Sequence, residues 1–142
     1  VANLPPRLCW DVYRWLDHTS EAELWIEDES PKAVLGEAAI ALGDLLGEDS
    51  GGEPATHRVR VGSADLPSLL VEWLGELVYL AETDGFVPER IVEMDLAGSN
   101  VEAVVGGRRA APQTLVKGVT YHGLEFEQGG DGGWHARVVL DV

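Results

Sequence analysis

Two short stretches carry the residue types that do chemistry. The first is DHTSEAEL, Asp17 to Leu24, where an aspartate, an imidazole, two hydroxyls and a glutamate crowd into one tight connection. Hard cations bind oxygen: calcium takes roughly 6–8 oxygen ligands and magnesium about six in a stricter shell. Glu21 alone is too little, so a cation held there needs oxygen donors from elsewhere in the fold. The same residues also fit a local role, with Asp17 and Thr19 hydrogen-bonding the turn and Glu21 merely solvated. The second stretch is the closing ARVVLDV. Strand alternation puts Trp134, Ala136, Val138, Leu140 and Val142 on one face, and His135, Arg137, Val139 and Asp141 on the other. Asp141 thus points away from the apolar stripe, beside the main-chain carboxylate of Val142. Two anionic groups this close repel unless a cation or a donor sits between them, and a hard cation requires deprotonated carboxylates. If the sheet brings Glu21 nearby, the two stretches become halves of one site.

Other chemistry finds little support. No glycine-rich phosphate loop precedes a helix, and there is no G-x-S-x-G elbow or H-E-x-x-H pair. VVGGRR has paired glycines without a strand–loop–helix context and reads as a turn. His18, His57, His122 and His135 are too scattered for zinc-ligand spacing, and the single cysteine, Cys9, excludes the usual thiolate sites. Ser20 lies near His18, yet proximity in sequence is no evidence for a nucleophile and its base. A metal-dependent hydrolase using Asp17, His18 and Glu21 would lack a nucleophile.

The elements that must position these residues follow from periodicity. WDVYRWL, Trp10 to Leu16, alternates as a strand; DHTSE is a polar turn; AELWIED, Ala22 to Asp28, is a second strand forming a hairpin with the first. Ser30-Pro31 opens a helix that runs to Gly47, with Ala33, Val34, Ala38, Ala41, Leu42 and Leu45 at helical spacing. GEDSGGEP is a loop and Ala55–Val61 a strand. Asp65 caps a second helix whose apolar face runs from Leu66 through Trp73 to Ala81, ending near Thr83 before a DGFVP turn. Strands are expected over Glu89–Leu96, Val101–Val105, Thr114–Glu127 and Trp134–Val142, the last two joined by the hairpin loop QGGDGG. The economical arrangement is α+β, a mixed or antiparallel sheet with two helices on one face, in a single domain spanning residues 1–142.

Composition narrows the partners. Ten Lys and Arg against 25 Asp and Glu give a net charge of −15, and a hydrophobic content of 45% with five tryptophans indicates a packed globule. Direct nucleic-acid binding is not expected, because a phosphate backbone needs clustered cations. An acidic surface suits a basic protein partner or a cation, or serves solubility alone. No apolar run approaches the roughly 18 residues that cross a bilayer, no leader is visible at the start, and one cysteine cannot form an internal disulfide. No membrane association is expected, and the cytoplasm is the expected compartment.

YRWLDHTSEAEL, DLPSLLVEWLGELVYLAETDGF, VKGVTYHGLEFE and ARVVLDV, in that order from about Tyr13 to Val142, together resemble the archease family. The resemblance implies a sheet with two packed helices and an inserted strand-helix-strand-strand module. It implies a non-enzymatic protein cofactor of the RtcB-type RNA ligase of tRNA splicing and RNA repair, one that promotes ligase guanylylation and repeated turnover. The family's D-H-T-A-D motif ends on a calcium ligand that acts with the last two residues. Carried over, the metal ligands are Glu21, Asp141 and Val142, the last through its terminal carboxylate or carbonyl, with Asp17, His18 and Thr19 as supporting turn residues. The cation implied is divalent, calcium first, with magnesium or manganese as alternatives. Here Ser20-Glu21 stands where alanine-aspartate is usual, and glutamate is one methylene longer. Lys117 matches a lysine in the V-K-x-V-T-Y motif linked to ligase activation. The alternative from another class is a stand-alone small-molecule-binding or chaperone-like module without a ligase partner.

Overall fold

The computed structural model describes residues 12–47 and 52–142. Trp10, Asp11 and part of the GEDSGGEP loop lie outside that range. Along the described chain run β1 (Tyr13–His18), β2 (Glu21–Asp28), α1 (Pro31–Leu46), β3 (Pro54–Gly62), α2 (Leu66–Asp84), β4 (Phe86–Ala97), β5 (Asn100–Arg109), β6 (Gly118–Gln128) and β7 (Trp134–Asp141).

Both helices start where side-chain oxygens replace missing backbone acceptors. The Ser30 hydroxyl accepts the Ala33 amide at 3.1 Å, with Pro31 in the first turn. Asp65 accepts the Ser68 amide at 2.9 Å, and that bond lowers the Asp65 carboxyl pKa. Gly85, left-handed at φ 63°, closes α2 by donating to the Ala81 and Leu80 carbonyls.

The strands divide into a four-stranded sheet, β1-β2-β7-β6, and a three-stranded sheet, β3-β5-β4, with every pairing antiparallel. The three-stranded sheet and α2 make up the unit β3-α2-β4-β5, a strand-helix-strand-strand module. Each helix packs on both sheets, α1 chiefly on β4 and β2, α2 chiefly on β6. Leu24, Ile26, Val138 and Leu140 of the larger sheet meet Leu35 and Leu42 of α1, and Trp73 and Leu77 of α2, in one buried cluster that also takes in Val59, Phe86 and Val105. Trp73 is fully buried, and its indole N–H donates to the Leu35 carbonyl at 2.8 Å, joining the two helices. The α+β class expected from periodicity is the one observed. Among the described residues, no helix is long and apolar enough to cross a membrane.

Three local expectations change. VVGGRR is strand, the second half of β5, and not a turn. A Cβ at Gly107 would lie 2.0 Å from the Val87 carbonyl oxygen, so the glycine is there to let β4 approach closely. The DGFVP segment enters β4 directly at Phe86, because Gly85 makes the whole reversal. β6 begins at Gly118 rather than Thr114, after a connection that crosses back from β5.

Candidate metal site at one end of the four-stranded sheet

The β1–β2 connection is tighter than DHTSE suggests. His18 pairs with Glu21, so Thr19 and Ser20 alone form the turn, and Asp17 and His18 belong to β1. Ser20 takes the left-handed φ of 63°, the one positive-φ non-glycine among the described residues. This tight reversal starts β2 at Glu21, at the same end of the sheet where β7 finishes.

Register then decides which residues meet. β2 and β7 pair from Asp28↔Trp134 through to Glu21↔Asp141, so Glu21 and Asp141 are directly opposite. Opposed residues share a face, with Cβ atoms about 4.5–5.5 Å apart. Ala22 and Leu140, one step along, are buried in the core, so Glu21 and Asp141 project from the outer face. Glu21 is half-buried and Asp141 exposed. The Val142 amide donates to the Ser20 carbonyl at 3.0 Å, and the Lys117 amide donates to the Asp141 carbonyl at 2.7 Å. On the β6 side, Gly118 is opposite Asp141, which leaves Lys117, whose side chain is exposed, one position away. Strand β7 is therefore fastened between the turn and the start of β6 at the point where its carboxylate stands.

The fold brings together Glu21, Asp141, the main chain of Val142 and Lys117. It does not bring all the turn residues to them. Asp17 pairs with the core-facing Ala22, so it lies on the opposite face of the hairpin from Glu21, and Thr19 is exposed at the tip. His18 lies in register with Glu21. As a donor set, two carboxylates on adjacent strands with main-chain oxygens beside them are purely hard oxygen, which suits calcium or magnesium. Two side chains fall short of a full shell, so water, main-chain oxygens or a partner must supply the rest.

Behind this pair lies a network that periodicity did not reveal. Glu23 and Val139, which alternation assigns to the outer face, are only 7% and 2% exposed. Glu23 accepts from Arg137 Nε at 2.8 Å and from Trp25 Nε1 at 2.5 Å. The Arg14 and Arg137 guanidinium carbons lie 5.5 and 5.7 Å from the Trp25 ring centroid. The Glu23 hydrogen bond raises the Arg137 pKa; burial opposes it, and the charges of Glu23, Glu125 and Glu21 add to it. Between Thr120↔Val139 and Glu125↔Arg137, β6 carries extra residues. Gly123, at φ 63°, there turns its carbonyl to accept from Arg137 Nη1 at 2.7 Å. The one available signal was the alternation itself, which placed Glu23, Trp25 and Arg137 on a shared face.

Two grooves among the described residues lie elsewhere. A 740 Å³ cavity is lined by Lys32, Arg60, Asp95, Asn100 and Glu102, and a 630 Å³ groove runs between α1 and β4 past Ala33, Ile40, Arg90 and Met94. Neither shares a residue with the Glu21–Asp141 pair.

The model of the Archease protein family (MTH1598/TM1083) matches residues 13–142. The chain belongs to the archease family. It is 37% identical over 143 residues to protein archease of Methanosarcina acetivorans, covering 92% of this chain and 95% of that one. It is 32% identical over 136 residues to protein archease of Methanopyrus kandleri, covering 89% and 96%. Among solved structures, Methanobacterium thermoautotrophicum protein 1598 superposes with a TM-score of 0.70 at 27% identity, covering 92% of this chain and 98% of that one. The Thermotoga maritima protein described as an archease, possible chaperone, shares the fold with a TM-score of 0.63 at 23% identity, covering 89% and 94%. Within this archease-family fold, Glu21 is the first residue of β2 and Asp141 the last of β7.

Proposed function

We propose that this archease-family chain is a non-enzymatic protein cofactor of an RtcB-type RNA ligase in cytoplasmic tRNA splicing and RNA repair, promoting ligase guanylylation and multiple turnover. The observation that carries the reading is the register that sets Glu21 opposite Asp141, with Val142 and Lys117 tied to the same corner. The pair supplies hard oxygen ligands for one divalent cation, calcium first, with magnesium or manganese also compatible. When bound, the cation supplies a positive charge that offsets the repulsion between the two carboxylates and offers open positions to oxygen ligands of a partner.

The chain's own residues do the rest. Half-buried Glu21 and exposed Asp141 stand on the outer face of a hydrogen-bonded sheet corner, where a partner can meet them. Lys117 adds an exposed cation next to that corner, within a segment where Leu115 and Tyr121 are 63% and 59% exposed. Exposed apolar groups around a charged centre suit a protein surface as the docking partner. The net charge of −15 steers the chain toward a basic ligase cleft and speeds association in a salt-dependent way. Activation then requires tighter binding to the ligase conformation that reacts with nucleotide than to the one that does not. No bond chemistry falls to the activator.

The test adds sub-stoichiometric protein to its RtcB-type ligase and counts ligated ends per ligase. The expected result is many turnovers in place of about one. Unchanged turnover with the folded wild-type chain would refute the assignment.

A further inference from the structure

The geometry points to a second cation site at the other end of the same face, formed by Glu125, Glu127 and His135 and suited to a borderline divalent metal such as zinc. One ligand atom from each of the three lies within 4.8 Å of the others. Register forces the convergence. Glu127 is directly opposite His135 across β6 and β7, and Glu125, opposite Arg137, is one same-face position along. On the other flank of His135, Glu27 of β2 is also directly opposite and shares the face.

The spacing is compatible with co-ligands of one ion. His135 Nε2 stands 3.3 Å from Glu127 Oε1 and 3.7 Å from Glu125 Oε1. Charge-assisted N–H···O hydrogen bonds run about 2.7–2.9 Å. Two ligands each about 2.1 Å from a tetrahedral metal stand about 3.4 Å apart. Both distances lie near that separation and within ion-pair range, so one ion can span the three ligand atoms. The hairpin that carries the set is held closed: the Gly129 amide donates to the Gly133 carbonyl at 2.7 Å, and Gln128 Nε2 donates to the Gly132 carbonyl at 3.1 Å.

The donor set selects the metal. One imidazole with two carboxylates favours zinc, cobalt or manganese over calcium, whose ligands are all oxygen. Three protein ligands leave a fourth position for water or for a side chain of a docked protein. The set differs from Glu21–Asp141 both in chemistry and in place.

The experiment titrates Co²⁺ into the EDTA-treated full chain, read by visible absorption, with Zn²⁺ and Ca²⁺ as competitors. The proposal expects one Co²⁺ with a ligand-field band that Zn²⁺ displaces and equimolar Ca²⁺ does not. Outer-shell changes cost about 10–100-fold in metal affinity; loss of a direct ligand in His135→Ala or Glu127→Gln should cost at least about 100-fold, while Asp141→Asn and His122→Ala keep the band. Glu127→Gln is isosteric and guards against a folding defect, checked by metal-free thermal melts. Absence of a band in wild type, a wild-type titration by both His135→Ala and Glu127→Gln, or loss of the band in Asp141→Asn alone would overturn the site.

Discussion

Asp141 and His135 lie on one face of β7, at opposite ends of the strand, and their neighbours across the sheet give them different surroundings. At the Asp141 end the cross-strand partners are Glu21 and Gly118, with the Ser20 carbonyl and the Val142 main chain hydrogen-bonded beside them. At the His135 end the partners are Glu27 and Glu127, with Glu125 beside them. At the first end a histidine, His18, is in register only through β1, next to Glu21; at the second, His135 itself stands between glutamates of both neighbouring strands. Between them, Arg137 holds the buried Glu23 and stacks on Trp25, which spaces two acidic clusters on a single strand. The contrast shows how pairing register, rather than composition, sorts carboxylates into chemically different groups.

Mutations can break or sharpen that comparison. The largest effect is expected from Glu21→Gln, which removes one of the two opposed carboxylate charges at the Asp141 end. Stimulation of the ligase should fall at least tenfold in a multiple-turnover assay, while Glu21→Asp, one methylene shorter, retains it. Next comes Arg137→Ala between the two ends. It leaves Glu23, which is 7% exposed, without its guanidinium, at a cost of about 2 kcal/mol in denaturant unfolding. Gly123→Ala should follow. The added Cβ would meet Arg137 Nη1 at 1.7 Å in a left-handed backbone, so about 1–2 kcal/mol is lost as the β6 irregularity shifts. The smallest effect is Ser20→Gly, which relieves a left-handed serine and stabilises by about 0.5 kcal/mol in the same unfolding experiment, with activation retained.

Local pattern made much of this fold legible. Ser30-Pro31 and Asp65 announced both helices, and alternation placed Ala136, Val138 and Leu140 on the buried face of β7 and Asp141 on the outer one. Glu21 and Asp141 could be suspected separately, Glu21 from the oxygen-rich DHTSE turn and Asp141 from the end of an alternating run. Their opposition could not be read locally, since pairing between β2 and β7 depends on contacts made across nearly the whole chain. The burial of Glu23 and Val139 was hidden for a related reason. Alternation assigns a face, but the Trp25–Arg137 stack and the Gly123 carbonyl that cover polar groups there come from three strands. VVGGRR misled because paired glycines mark turns as often as they mark a strand pressed by a neighbouring backbone. The Glu125–Glu127–His135 group was passed over because histidine spacing along the chain was searched, while its ligands converge through cross-strand pairing.

We propose that the ligase engages the Glu21–Asp141 corner. Guanylylation of an RtcB-type ligase should be followed over repeated cycles with sub-stoichiometric wild type, with Asp141→Asn and with His122→Ala, each confirmed as folded by circular dichroism. The account predicts sustained turnover with wild type and with His122→Ala, and about one cycle with Asp141→Asn. Full turnover with Asp141→Asn would contradict it.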